Sequence, residues 1–321
     1  MFAITPDPIT LADVRAARER IAGTALRTPL IRLNVDDAPA EIYLKLENLQ
    51  PIGSFKLRGA AAAISRATPE QLADGVYTCS AGNMAQGVAW NARRLGIPST
   101  AVVPDHAPET KLEAIARLGG KVIKVPFDEW WNVMVTHRYD GLEGFFVHPV
   151  SNPDVMAGNG TIGLEILEDL PDVDTIVVPY GGGGLSCGIA TALKALKPGT
   201  RVYAGEVETS AAFAGALAAG EPTTITYTPS FVDGIGSSGV LAEMWPLAQA
   251  LLDGSLVMPL SEVADTIRLL AERHRVIAEG AGATSVAAAL SGKAGGGKVV
   301  CVVSGGNIDT EKLTKIFTRQ M

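Results

Sequence analysis

Lys56 is the residue of this chain best set up to act as a covalent nucleophile. It stands in Pro51-Ile52-Gly53-Ser54-Phe55-Lys56-Leu57-Arg58-Gly59-Ala60, between a glycine turn and an alanine-rich run of strong helix formers. Ser54 is a capping type, so Lys56 is expected in the first turn of a helix. There the positive end of the helix dipole disfavours an ammonium and brings the neutral amine that attacks an aldehyde within reach. An isolated lysine is otherwise a solvated surface charge, so the other segments must decide.

Three further segments carry chemistry. Ser80-Ala81-Gly82-Asn83-Met84-Ala85-Gln86-Gly87 follows a short apolar run. A strand, tight turn and helix in succession leave backbone N–H groups free at a helix start, where a carboxylate binds, although Ser80 and Asn83 are also ordinary capping types. Gly181-Gly182-Gly183-Gly184-Leu185 follows the apolar run 176–179. Four glycines lack the Cβ atoms that would hold a phosphate away, whereas a flexible turn needs one or two. Ser304-Gly305-Gly306-Asn307 follows the apolar run 299–303 and offers a hydroxyl at a strand's carboxyl end, where open α/β sheets bind ligands.

These four segments, with Leu46-Glu47-Asn48-Leu49-Gln50 leading into the first, are similar in sequence and order to the motifs of fold-type II pyridoxal-phosphate enzymes, the threonine and serine dehydratases especially. The resemblance implies pyridoxal 5'-phosphate as cofactor, bonded to Lys56 beside Phe55, with Lys56 also abstracting the α-proton. It implies that Ser80, Ala81, Gly82 and Asn83 hold the substrate carboxylate, Asn83 also facing the cofactor's ring oxygen. Gly181, Gly182, Gly183, Gly184 and Leu185 would cradle the phosphate, and Ser304 would meet the pyridine nitrogen. A neutral hydroxyl does not keep that nitrogen protonated, so the ring is a weaker electron sink and expulsion of a β-leaving group is favoured.

Phe231-Val232-Asp233-Gly234-Ile235-Gly236 and Ala278-Glu279-Gly280-Ala281-Gly282-Ala283 resemble two active-site loops of the family, which makes Asp233, Gly234 and Glu279 candidates, though both acids also read as solvated loop charges. Met84 stands where many relatives carry histidine. Glu206 matches the first ligand of a cation site known in some relatives, but Ala212 falls where its aspartate would be, so no metal is expected. The implied activity removes the β-hydroxyl and amine of a small hydroxy-amino acid, threonine or serine, to give a 2-keto acid and ammonia. Serine racemase and hydroxyaspartate dehydratase share the four motifs. Related racemases place a serine, a second proton donor, at the position of Ala81. A homologue that stores or senses the cofactor without turnover is a further reading, opposed by Lys56, Asn83 and Ser304 together. A nicotinamide-dependent oxidoreductase is the competitor outside the family, since Glu206 and Glu208 follow the glycine run by about 20 residues. The spacing opposes it: GxGxxG begun at Gly181 or Gly182 ends on Ser186 or Cys187.

The elements that must position these residues alternate short β-branched runs with helical periods, as in an α/β fold with mostly parallel sheets. Strands are expected at Glu41–Glu47, Gly75–Thr78, Thr100–Val103, Lys121–Val125, Thr175–Pro179, Arg201–Glu206 and Lys298–Val303. Helices are expected at Leu11–Ala22, Phe55–Ser65, Met84–Leu95, Pro108–Leu118, Thr161–Leu170 and Leu185–Ala195. The resemblance divides the chain into two lobes, each a mostly parallel sheet flanked by helices as in tryptophan synthase beta. A small substrate-loop lobe spans 75–147, and a large cofactor lobe is built from 1–74 and 148–321.

A net charge of −7 over 321 residues, with mixed signs spread along the chain, disfavours nucleic acid as a partner. No apolar run approaches the ~20 residues of a membrane span, and the start MFAITPDPIT lacks a secretory pattern. A cytoplasmic homodimer or homotetramer acting on a small amino acid is expected. Cys79, Cys187 and Cys301 are widely spaced among small or apolar residues and read as reduced buried thiols. The four histidines show no metal-ligand spacing.

Overall fold

The computed structural model describes residues 8–320. Ten strands form two sheets: β1 (Leu30–Arg32), β2 (Glu41–Lys45), β3 (Val76–Thr78), β4 (Ser99–Pro104), β5 (Lys121–Val125), β6 (Phe145–Phe146), β7 (Thr175–Pro179), β8 (Arg201–Val207), β9 (Gly254–Met258) and β10 (Lys298–Val302). One sheet has six strands in the order β1-β2-β10-β7-β8-β9, the other four in the order β5-β4-β3-β6. Every pairing is parallel except β1 with β2. Parallel strands need crossovers, and helices between strands supply them; the described residues form twelve α-helices: α1 (Leu11–Arg20), α2 (Lys56–Arg66), α3 (Asn83–Leu95), α4 (Glu109–Arg117), α5 (Phe127–Thr136), α6 (Pro153–Asp169), α7 (Gly184–Leu196), α8 (Ala212–Ala219), α9 (Trp245–Leu251), α10 (Leu260–Leu269), α11 (Gly280–Leu290) and α12 (Thr310–Phe317), of which α1 precedes the first strand and α12 follows the last.

The four-stranded sheet comes from one continuous stretch and the six-stranded sheet from both flanks. β7 is apolar from Ile176 to Pro179 and packs against α7 and α11, and all five of its residues are buried. One core cluster joins the two parts: Ala60, Ala63 and Ile64 of α2 pack with Val76, Met84, Val88 and Val155. No helix of the described residues is long and apolar enough to cross a membrane.

The seven expected strands are present within two residues at each end. The first stops at Lys45, because Glu47 turns into a short 3-10 helix and its carboxylate is drawn inward to Arg58. Helix α6 begins at Pro153, eight residues before the expected Thr161. Asn152 caps it by accepting from the Val155 amide, and Pro153 suits a first position. Two glycines of its first half are contact points: a Cβ on Gly158 would lie 2.6 Å from the Arg58 carbonyl, and one on Gly160 would lie 2.7 Å from that of Gly188. Three short strands and the helices α5 and α8–α12 went unread in the sequence.

Candidate active site

Lys56 opens α2, as its spacing implies, but not by the expected cap. The Ser54 hydroxyl is buried without a partner and makes no cap hydrogen bond. The chain is held instead by strand-like contacts: Ser54 bridges Gly305, and the Phe55 amide donates to the Ser304 carbonyl at 3.0 Å. The Lys56 amine donates to the Pro149 carbonyl at 2.6 Å and sits 5.1 Å from the Phe55 ring centre. Burial lowers its pKa to about 8, and neighbouring Cys79 and Glu279 oppose that shift.

A cavity of about 660 Å³ gathers the expected residues: Phe55 and Lys56, Ser80 to Asn83, Gly181 to Leu185, Ser304, Asp233, Gly234 and Glu279. Residues separated by more than 220 positions thus share one space. Ser80 Oγ accepts from the Gly82 amide at 3.2 Å, which shapes the turn before α3, and neither Ser80 nor Asn83 acts as the helix cap. The Asn83 amide group donates to Glu279 at 2.9 Å, and its Oδ1 accepts from Asn307 at 2.8 Å. Burial pushes the Glu279 carboxyl up to about 7, against the Asn83 hydrogen bond that favours its charge.

The glycine loop departs from the reason the sequence suggested. Cβ atoms on Gly182 and Gly184 would not enter the cavity; they would strike Val150, at 2.6 Å and 2.4 Å. Gly183 has φ +93° and is backed by Tyr180, whose hydroxyl lies 3.1 Å and ring 3.2 Å from where its Cβ would stand. The glycines therefore let the loop press against protein behind it. The amides of Gly181, Gly182 and Gly183 have no backbone acceptor among the described residues, and those of Gly184 and Leu185 lie in the unpaired first turn of α7. The Ser304 hydroxyl lines the cavity with no hydrogen bond to the described residues.

Asp233 lies at the rim, paired with Lys111 at 3.2 Å and Lys312 at 3.0 Å, so it ties α4 to α12. Glu206 is buried elsewhere; its carboxylate accepts from the Phe213 and Ala214 amides and from Ser255. Met84, in the first turn of α3, is 1% exposed and packs in the cluster that includes Ala60, Ala63 and Ile64 of α2. Pro149, Val150, Asn307, Lys111 and Lys312 were not singled out from sequence. Asn307 closes a motif and could have been found there, whereas Pro149 contributes a backbone carbonyl, which no residue type announces.

A family model described as pyridoxal-phosphate dependent enzyme matches residues 21–305. An L-threonine ammonia-lyase of Thermotoga maritima is 40% identical over 97% of this chain and 79% of its own length. The catabolic L-threonine dehydratase TdcB of Escherichia coli is 37% identical over 96% of each chain. Among solved structures, maize serine racemase superposes with a TM-score of 0.88 at 32% identity over 98% of each chain. A processed threonine deaminase isoform from Solanum lycopersicum gives 0.87 at 31% identity, covering 99% of this chain and 91% of its own. With a lysine amine, two loops bearing free amides and a strand-end hydroxyl around one cavity, and matches over nearly its whole length, the chain belongs to the pyridoxal-phosphate dependent enzymes.

Proposed function

We propose that this protein is a dehydratase that removes the β-hydroxyl and amine of a small hydroxy-amino acid, threonine or serine, to yield a 2-keto acid and ammonia. The observation that carries the reading is the Lys56 amine, lowered to about 8, facing the same cavity as the 80–83 loop and the glycine loop. The relatives named as threonine ammonia-lyase and dehydratase support the substrate class.

The residues present fit pyridoxal 5'-phosphate. The unpartnered amides of Gly181 to Gly183, with the first turn of α7, suit a phosphate dianion. Lys56 would bond the aldehyde carbon, the free Ser304 hydroxyl would meet the ring nitrogen, and Asn83 would face the ring oxygen. Bound there, the cofactor supplies an electron sink for the bond broken at the substrate's α-carbon. Lys56 exchanges between amine and ammonium near neutral pH, so Nζ can take the α-proton and hold it. The 80–83 loop would orient the carboxylate with the free amides at the start of α3. The division at 75 and 147 into a small and a large lobe belongs to the same proposal.

The test is borohydride reduction of the cofactor-loaded enzyme with peptide mapping, beside a keto-acid assay on serine, threonine, hydroxyaspartate and phenylserine in both configurations. Label on the Lys56 peptide and keto acid from threonine or serine are expected. Lys56→Ala should lose the label and several orders of magnitude of turnover; near-normal keto-acid formation by that variant would sink the assignment.

The close likeness to serine racemase favours racemisation as the second reading. Ala81 lines the cavity with a methyl group and no exchangeable proton. A substrate that has lost its α-proton would regain one from the Lys56 side only, which restores its configuration. Wild type is expected to invert little serine, and Ala81→Ser to invert measurably more. Inversion by wild type at a rate comparable with elimination, in chiral analysis of residual serine, would overturn this argument.

A further inference from the structure

The turn that follows β6 touches both halves of the cavity. Pro149 gives its carbonyl to the Lys56 amine at 2.6 Å, and Val150 occupies the space behind Gly182 and Gly184. What shapes that turn is His148, which is 2% exposed and does not line the cavity. Its Nδ1 accepts from the amides of Ser151 at 2.8 Å and Val150 at 3.2 Å, and Ser151 Oγ lies 2.9 Å away. That network assigns the proton to Nε2, which points at the Met134 carbonyl 3.1 Å away. A protonated ring could not accept the two amides, and burial pushes the His148 pKa down to about 3.

The ring is braced by a second histidine, which an acid backs in turn. His137, at the end of α5, stacks on it with centroids 4.2 Å apart, and His137 Nε2 lies 3.4 Å from Glu243 Oε1 in the segment before α9. Ligand-type atoms of the three residues lie within 4.8 Å of one another, a spacing a transition metal could use. The hydrogen bonds argue otherwise. The Nδ1 lone pair is committed to two amides, the other nitrogen carries a proton, and stacked rings do not aim their lone pairs at one point.

We propose that His148 is a positioning residue for Lys56. By accepting the Val150 and Ser151 amides it holds the turn so that the Pro149 carbonyl meets the lysine amine and Val150 backs the glycine loop. His137 stacks on the ring, and Glu243, from a different part of the fold, backs His137. This inference rests on the reading of Lys56 as the cofactor-bonding lysine. The titratable groups facing Lys56 are Cys79, Glu279 and His148 itself, and those facing His148 are His137, Glu243 and Lys56.

Two variants of the full-length enzyme test it. His148→Phe keeps the ring and removes both nitrogens, while His148→Asn removes the ring and keeps an oxygen able to accept amides two and three residues on. The readouts are the pH profile of borohydride-trapped pyridoxal phosphate on Lys56 after reconstitution, and kcat separately from KM. A carbonyl acceptor favours the ammonium, so its loss in the Phe variant should lower the trapping midpoint by about one pH unit. It should also cut kcat about tenfold with KM little changed. The Asn variant should restore the midpoint and most of kcat.

A Phe variant with the wild-type midpoint and kcat overturns the proposal, as does an Asn variant impaired to the same degree as Phe. Should the Phe variant fail to fold, the Asn variant decides alone, a shifted midpoint in the folded protein counting against the role. No trapped cofactor on Lys56 of the wild type defeats the reading of the site and this inference together; trapping with indistinguishable variants defeats this inference only.

Discussion

Glu279 sits in surroundings that work against its charge, since it is 8% exposed and burial raises its carboxyl to about 7. In the unfolded chain the same group titrates near its ordinary 4.5. Between these values the folded state binds the extra proton, so stability is full below about 4.5, falls as pH rises to about 7, and stays lower above it. Glu279→Gln removes that dependence. In the cofactor-free protein, urea unfolding of wild type should lose of order 2 kcal/mol more between pH 5 and pH 8 than the variant does. Parallel pH dependence of the two would refute the assignment. The sequence made Glu279 a candidate by resemblance and read it equally as a solvated loop charge, because the neighbours that bury it, Asn83, Asn307 and Gly305, come from elsewhere in the chain.

At the scale of elements, the glycine loop was legible as a loop followed by a helix, and its packing was not. A branched side chain at Gly183 would be forced into a left-handed backbone and against the Tyr180 ring, a combination costing about 1–2 kcal/mol or more. Gly183→Val is therefore expected to displace the amides facing the cavity and weaken cofactor retention at least about tenfold, measured by dialysis and the residual visible spectrum. Unchanged occupancy would show that the amides of this loop do not hold the phosphate. Helix α6 teaches the same lesson, since its glycines permit close crossing of α2 and α7 where a sequence window reads them as breakers.

Across the whole molecule, the lysine motif is anchored by charge buried two residues further on. Arg58 is 1% exposed and pairs with Glu47 at 2.8 Å and Glu165 at 2.6 Å, and Lys45 pairs with Glu165 at 2.5 Å. The network joins β2, α2 and α6. The guanidinium also holds Glu47 below its usual range, against the burial that would raise it. Arg58→Met would leave two carboxylates beside a single lysine and is expected to cost about 3–5 kcal/mol, read as a fall in the denaturant midpoint. Exposed pairs such as Arg18 with Glu168 are worth about 0–1 kcal/mol, so Arg18→Ala is the control that should move little.

Local order along the chain was sufficient to determine much of this protein. Alternation of β-branched and helical runs determined the α/β class and seven strands, and the resemblance of the four motifs to those of the fold-type II enzymes named Lys56, Asn83, Gly181 to Leu185 and Ser304, because each motif is written in adjacent residues. Only the tertiary structure decided how these segments meet around one cavity, why the glycines are needed, and that Ser54 caps nothing. It also placed the Pro149 carbonyl against the Lys56 amine and the buried His148 ring behind that turn, contacts made by a backbone atom and by a side chain outside the cavity lining. Parallel strands bring distant residues side by side, and a backbone atom's partner depends on that pairing rather than on its own side chain.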